Sequence, residues 1–171
     1  MSLRVFLVLS MFACIAGCTE HSLPNIEEIL GTNKSVVSEC GGFQIELSDL
    51  NYTARDVQSS KDNCSKEQLF WWYDVQTLEL KLLHSCVNLN CCGIREISAE
   101  QINNIYHIVE RDDPDPNRCR CNCEFDFAVN QKDVSPGKIT LLLKRTSKDY
   151  DDVEIWKGII DLSKLYGQIN I

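Results

Sequence analysis

Cys119-Arg120-Cys121-Asn122-Cys123-Glu124-Phe125-Asp126-Phe127-Ala128-Val129 is the stretch on which the fold reading turns. By the two-residue period of a β-strand, Cys119, Cys121, Cys123, Phe125, Phe127 and Val129 fall on one face. Arg120, Asn122, Glu124 and Asp126 fall on the other. A sheet with one apolar face needs a second layer to cover it. The cysteines extend that apolar face and are expected to be buried with it.

Outward from this stretch, the segments on both sides are also β-like. Upstream, Leu69 to Cys86 reads as one strong strand, with Leu78, Leu80, Leu82, His84 and Cys86 on one face and Glu79, Lys81 and Ser85 on the other. Leu83 interrupts the polar face, a sign that both sides are partly covered. Phe70-Trp71-Trp72-Tyr73 reads as core or an aromatic sheet edge, ahead of a carbohydrate-stacking platform. Phe43 to Leu47 alternates as a half-buried strand, and residues 55 to 67, with Cys64 among them, read as loop. Residues 98 to 111 fit two patterns. Ser98 to Gln101 resembles a capping box, while Ile105 to Val109 is dense in β-formers, and the hairpin is preferred. Asp112 to Asn117, with Pro114 and Pro116, is expected to be a loop. Val134 to Lys138 is a turn around Pro136-Gly137, followed by strands over Ile139 to Lys144 and Val153 to Leu162. Short strands and turns with little firm helix predict an all-β fold: a small antiparallel β-sandwich cross-linked by disulfides, the immunoglobulin-like arrangement being one form of it.

The chain of 171 residues carries ten cysteines. Setting aside Cys14 and Cys18 in the N-terminal segment leaves Cys40, Cys64, Cys86, Cys91, Cys92, Cys119, Cys121 and Cys123, an even number that reads first as a disulfide framework. Neighbours two apart on one strand are at the outer limit of bridging distance, and the adjacent Cys91 and Cys92 would close a strained ring. Bridges should therefore run between the set Cys86, Cys91, Cys92 and the set Cys119, Cys121, Cys123, leaving Cys40 with Cys64. The alternative is a zinc or copper(I) site built from His84, Cys91, Cys92, Cys121 and Cys123. Its spacing is not that of paired CxxC ligands. The acidic runs Asp112-Asp113-Pro114-Asp115 and Asp149-Tyr150-Asp151-Asp152 could take calcium, but lack EF-hand spacing and read as solvated turns.

The N-terminus opens with Arg4 and an uncharged apolar run from Val5 to Ile15, then Ala16-Gly17-Cys18. This is a signal-peptide pattern, too short to span a bilayer as a helix. Ile15-Ala16-Gly17-Cys18 resembles the lipobox of bacterial lipoproteins. The resemblance implies cleavage before Cys18, acylation with palmitate-type chains on its thiol, and a stable membrane anchor. An ordinary secretory signal is the competing reading. The triplets at Asn33, Asn51 and Asn63 that fit the glycosylation sequon shift the balance little. By the same resemblance, Thr19 favours the outer membrane in a Gram-negative source. The expected organisation is a signal peptide at 1–17, a lipidated N-terminus and tether with a short helical stretch at 18–39, and a cysteine-rich β domain at 40–171.

His84, Asn90-Cys91-Cys92, the hairpin at Ile105 to Glu110, Cys119 to Cys123, Phe125-Asp126 and Pro136-Gly137 are together similar to a group of uncharacterised cysteine-rich β-sandwich lipoproteins of the bacterial envelope. The resemblance departs at Phe125 and Ile139, covers about a third of the chain, favours the hairpin over the helix, and implies no activity.

The net charge of −8 argues against nucleic acid or an anionic bilayer surface as partner. Loss of residues 1–17 would remove one charge, Arg4, and leave −9. No GxSxG, HExxH, P-loop, dinucleotide glycine pattern or CxxC pair is present. The sequence therefore predicts a non-catalytic envelope lipoprotein without a cofactor, held to the membrane by lipid, periplasmic or surface-exposed, with a structural role or an unknown protein partner. Metal binding is the second reading. A thiol-redox protein is the third, set back by the expected burial of the cysteines.

Overall fold

The computed structural model describes residues 26–31, 34–43, 64, 66–116 and 120–171. The signal segment, Cys18, Cys119, the three sequon asparagines and the strand expected beyond Phe43 lie outside the described residues. Within them the chain is nearly all β, in two sheets packed face to face. One sheet has the order β1 (Ser35–Val37), β6 (Asn122–Gln131), β3 (Glu79–Asn90), β2 (Gln68–Asp74), β9 (Tyr166–Asn170). The other has β4 (Gly93–Ile102), β5 (Ile105–Pro114), β7 (Lys138–Ser147), β8 (Tyr150–Asp161). Pairing is antiparallel throughout except for β5 with β7, which run parallel, so the expected all-antiparallel sandwich needs that correction.

The alternation of β6 is as the sequence indicates. Phe125, Phe127 and Val129 are buried between the sheets with Leu80, Leu82, Ile97, Ile108, Leu141 and Leu143. Residues 98 to 111 form a hairpin, because Asn103 and Asn104 both take positive φ (50° and 62°) in the two-residue turn that matches strand twist. The outer face of the first sheet is partly covered too, which explains Leu83. Leu83, Phe70 and Ala128 pack beneath the short helix α1 (Ile26–Leu30). The helical stretch is thus present but docked. With β1 paired to β6, the residues expected to be tether over 26–37 belong to the domain, because Ile26 and Leu30 find an apolar surface to bury against.

Three segments differ from expectation for local reasons. The long strand over Leu69 to Cys86 is a hairpin of β2 and β3. Asp74 Oδ1 accepts hydrogen bonds from the Gln76 and Thr77 N–H groups (2.7 and 3.3 Å), and Leu78 sits in the turn at φ 56° instead of on the core face. At Cys86 (φ 62°) the register against β6 slips, so Val87 and Leu89 resume the core face and Cys86 turns away from it. The N–H that the bulge leaves unpaired donates to Asp126 Oδ1 at 3.0 Å. Asp112 to Pro114 end β5 instead of forming a loop. Pro114 is tolerated because it lies past the β5–β7 ladder, which stops at Arg111 and Thr146.

Strand β9 is held to β2 by a cross-strand fit. Trp71 faces Gly167, and a Cβ at Gly167 would come 1.9 Å from the indole ring. Gly167→Ala should therefore destabilise the domain by about 1–3 kcal/mol. The check is a lowered urea midpoint together with a shift in tryptophan fluorescence.

Candidate functional site

At one end of the sandwich, the periodicity that builds the core delivers charge into it. On β3, His84 follows Leu80 and Leu82. On β5, Glu110 follows Tyr106 and Ile108. On β7, Arg145 follows Leu141 and Leu143. His84 is 1% exposed and Glu110 0%. His84 Nδ1 lies 2.5 Å from Glu110 Oε1, and Nε2 lies 3.2 Å from Glu67 Oε2. Arg145 donates from Nε (3.2 Å) and a terminal nitrogen (2.8 Å) to Glu110 Oε2. Burial works against a charge on His84, but hydrogen bonding and attraction from Glu110 and Glu67 outweigh it and raise its pKa from 6.5 to about 9. Glu67 is held below its ordinary value chiefly by its hydrogen bond to His84. With His84 protonated, two cations face two anions, a neutral cluster bridging both sheets.

Next to it, Arg95 on β4 places its guanidinium carbon 3.9 Å over the Phe125 ring, with Nε 3.4 Å from Asp112 Oδ1. It also donates to the Asn90 carbonyl. Arg95 and Phe125 form part of the wall of a cleft of about 260 Å³ at the rim, with Ser38, Cys40, Cys91 and Gly93 around them.

The cysteines meet at this rim. Cys91 bridges Cys121 (Cα separation 5.6 Å), a link between the two sets as expected. Cys40 and Cys64 do not pair with each other. Cys40 bonds Cys123 (5.7 Å) and Cys64 bonds Cys86 (5.4 Å). The reason is register: Ser38 N–H donates to the Asp126 carbonyl and Gly41 N–H to that of Glu124, which lays Cys40 along β6 beside Cys123. The bulge turns Cys86 out of the core, where it meets Cys64. Cys92 is disulfide-bonded as well. Of the β6-face cysteines expected to be buried, Cys123 is half-buried and packs against the core, Cys121 is exposed and Cys119 lies outside the described residues; Cys91 is half-buried and Cys40 exposed.

The ligand set His84, Cys91, Cys92, Cys121 and Cys123 is not assembled. Both ring nitrogens of His84 face carboxylates, and the sulfurs are in bridges. What does converge is Cys40, Cys91 and Cys123, whose sulfurs lie within 4.8 Å of one another. Sequence reading missed Glu67, Arg95, Glu110 and Arg145. The available signal was a charged residue at an inward position of an apolar alternation, plainest in Tyr106-x-Ile108-x-Glu110.

The other candidates are structural in these surroundings. Phe70, Trp71 and Tyr73 are core, and Trp72 is half-buried against the α1 cluster. In the acidic runs, Asp113 accepts from the Lys148 N–H (2.8 Å) and pairs with Arg111 (2.5 Å), and Asp152 pairs with Lys144 (2.9 Å). No helix among the described residues is long and apolar enough to cross a membrane. No protein family, curated protein or solved structure matches the chain.

Proposed function

We propose that this protein is a non-catalytic lipoprotein of the bacterial cell envelope, anchored through lipid on Cys18, with the β-sandwich as its extracytoplasmic domain. The observation that carries this reading is Ile15-Ala16-Gly17-Cys18 at the end of an uncharged apolar run behind Arg4. Disulfide bonding of the domain supports it independently, because such bonds persist outside the reducing cytoplasm. The charged cluster suits a structural role, since His84 and Glu110 are buried and its four groups are paired with one another. Outer-membrane placement, from Thr19, and an envelope protein as partner belong to the same proposal.

Labelled palmitate supplied to bacteria expressing the full chain should enter the protein and fractionate with membranes. Cys18→Ser should abolish the label and release the protein from the membrane fraction. Label retained in Cys18→Ser, or none in the native chain, would overturn the reading.

A metal-binding reading now rests on Cys40, Cys91 and Cys123, and it requires both rim bridges to be open so that thiolates are available. Native mass spectrometry separates the two. Bound zinc or copper with fewer hydrogens gained on reduction favours metal, and a gain of two hydrogens per bridge without metal favours the disulfide-bonded lipoprotein.

A further inference from the structure

We propose that the rim bridges Cys40–Cys123 and Cys91–Cys121 form a thiol–disulfide exchange site that accepts an electron pair from a dithiol and converts it into a Cys91–Cys123 bridge with free thiols at Cys40 and Cys121. Three geometric facts carry this. The sulfurs of Cys40, Cys91 and Cys123 lie within 4.8 Å of one another, so the two bridges are side by side. Each bridge has one exposed end, Cys40 or Cys121, and one half-buried end, Cys123 or Cys91. Cys40 and Cys91 line the same open cleft, which gives a small dithiol access to both bridges.

The chemistry balances with a dithiol as the only co-reactant. One thiolate of the dithiol attacks Cys121 Sγ, the Cys91–Cys121 bond breaks, and Cys91 leaves as a thiolate. The second thiol of the reductant then attacks its own sulfur in the mixed disulfide and frees Cys121. The reductant is now a disulfide, and its two electrons and two protons are on Cys91 and Cys121. The Cys91 thiolate next attacks the neighbouring Cys123 Sγ. A Cys91–Cys123 bond forms, the Cys40–Cys123 bond breaks, and Cys40 leaves as a thiolate and takes up the proton lost by Cys91.

Entry at Cys40 ends in the same place. There Cys123 is the first leaving group, it attacks Cys91, and Cys121 is expelled. Both routes converge because the two inner sulfurs end bonded to one another and the two outer ones end as exposed thiols. The product presents two exposed thiols at the rim, from which the electron pair can pass to an acceptor disulfide.

The test uses the oxidised full-length chain treated with one equivalent of dithiothreitol, then alkylated and mapped by mass spectrometry under non-reducing digestion. The expected result is alkylation of Cys40 and Cys121 together with a linked peptide containing Cys91 and Cys123. Alkylation confined to the two members of one original bridge, or first opening at Cys64–Cys86 or at Cys92, would overturn the proposal. A second variant reads the same step without reductant. In Cys121→Ser, Cys91 should be found bonded to Cys123 with Cys40 alkylated, whereas alkylation at Cys91 itself would also sink it.

Discussion

Glu110→Ala should destabilise the domain by about 3–5 kcal/mol, the expected cost of removing one partner from a buried ion cluster. Glu110 accepts from both His84 and Arg145 and has no solvent exposure of its own. Without it, two cations are left with Glu67 alone, and Glu67 stands 4.0 Å from the nearest Arg145 nitrogen. Urea unfolding followed by fluorescence measures the loss, which should appear as a lower midpoint with little change in slope. An effect under about 1 kcal/mol, the range of exposed ion pairs, would mean that water reaches the cluster.

The same cluster sets a pH dependence whose direction follows from His84. Its pKa is raised in the folded protein, from 6.5 to about 9, so the folded state holds the proton more tightly. The resulting stability is fully present below about pH 6.5 and is lost as pH rises through about 9. Glu67 acts in the opposite sense at the acid end. Its pKa is lowered, so its contribution is present above its ordinary 4.5 and is lost as pH falls through its folded value. Stability should therefore be greatest between about pH 5 and 6.5. His84→Gln should flatten the decline between pH 7 and 9, and an unchanged slope in that variant would assign the decline to other groups.

Removing the Cys40–Cys123 bridge by paired substitution to serine should cost about 3 kcal/mol. The bridge spans 83 residues of sequence, but the other bridges already shorten the loop that would be released, which keeps the figure in the middle of the usual range. It also fastens segment 38–43 along β6, where Ser38 and Gly41 donate to β6 carbonyls and Phe43 N–H donates to Asp126 Oδ2 at 2.9 Å. Native-state hydrogen exchange should therefore quicken first at Ser38, Gly41 and Phe43. Uniform acceleration across both sheets would instead indicate a purely global effect.

Much of the fold was legible because alternation is a strong signal where one face is buried. It gave β6, β7 and β8, while the preference for a hairpin over a helix at 98–111 came from the β-formers of Ile105 to Val109 and from the family resemblance. It failed where local geometry broke the period without a proline or glycine to mark the break. The β2–β3 turn depends on the Asp74 side chain, a lone turn former in an otherwise strand-like run, and on Leu78 at positive φ, which no sequence signal announces. The bulge at Cys86 reverses which face the following residues occupy, so the face assigned to Cys86 was wrong although those of Leu80, Leu82 and His84 were right. Strand β9 was missed because Tyr166 to Asn170 has little apolar periodicity, and its place is secured by Trp71 over Gly167. Pairing of Cys40 and Cys64 could not follow from spacing, because it depends on which strand segment 38–43 lies beside. The charged cluster was visible only as acids and bases at inward positions, a pattern that hydrophobic bookkeeping passes over.

The parallel alignment of β5 and β7 constrains the order of folding. Antiparallel neighbours can be joined by a tight turn, as β4 and β5 are, but a parallel pair needs a crossover. Here the chain leaves β5, lays down β6 in the opposite sheet and returns as β7. The β4–β5 and β7–β8 hairpins can form from contacts close in sequence, whereas the seam between them must wait until β6 has crossed. That late seam runs beside Glu110 and Arg145, so the sheet is expected to close in the same step that removes its charges from water.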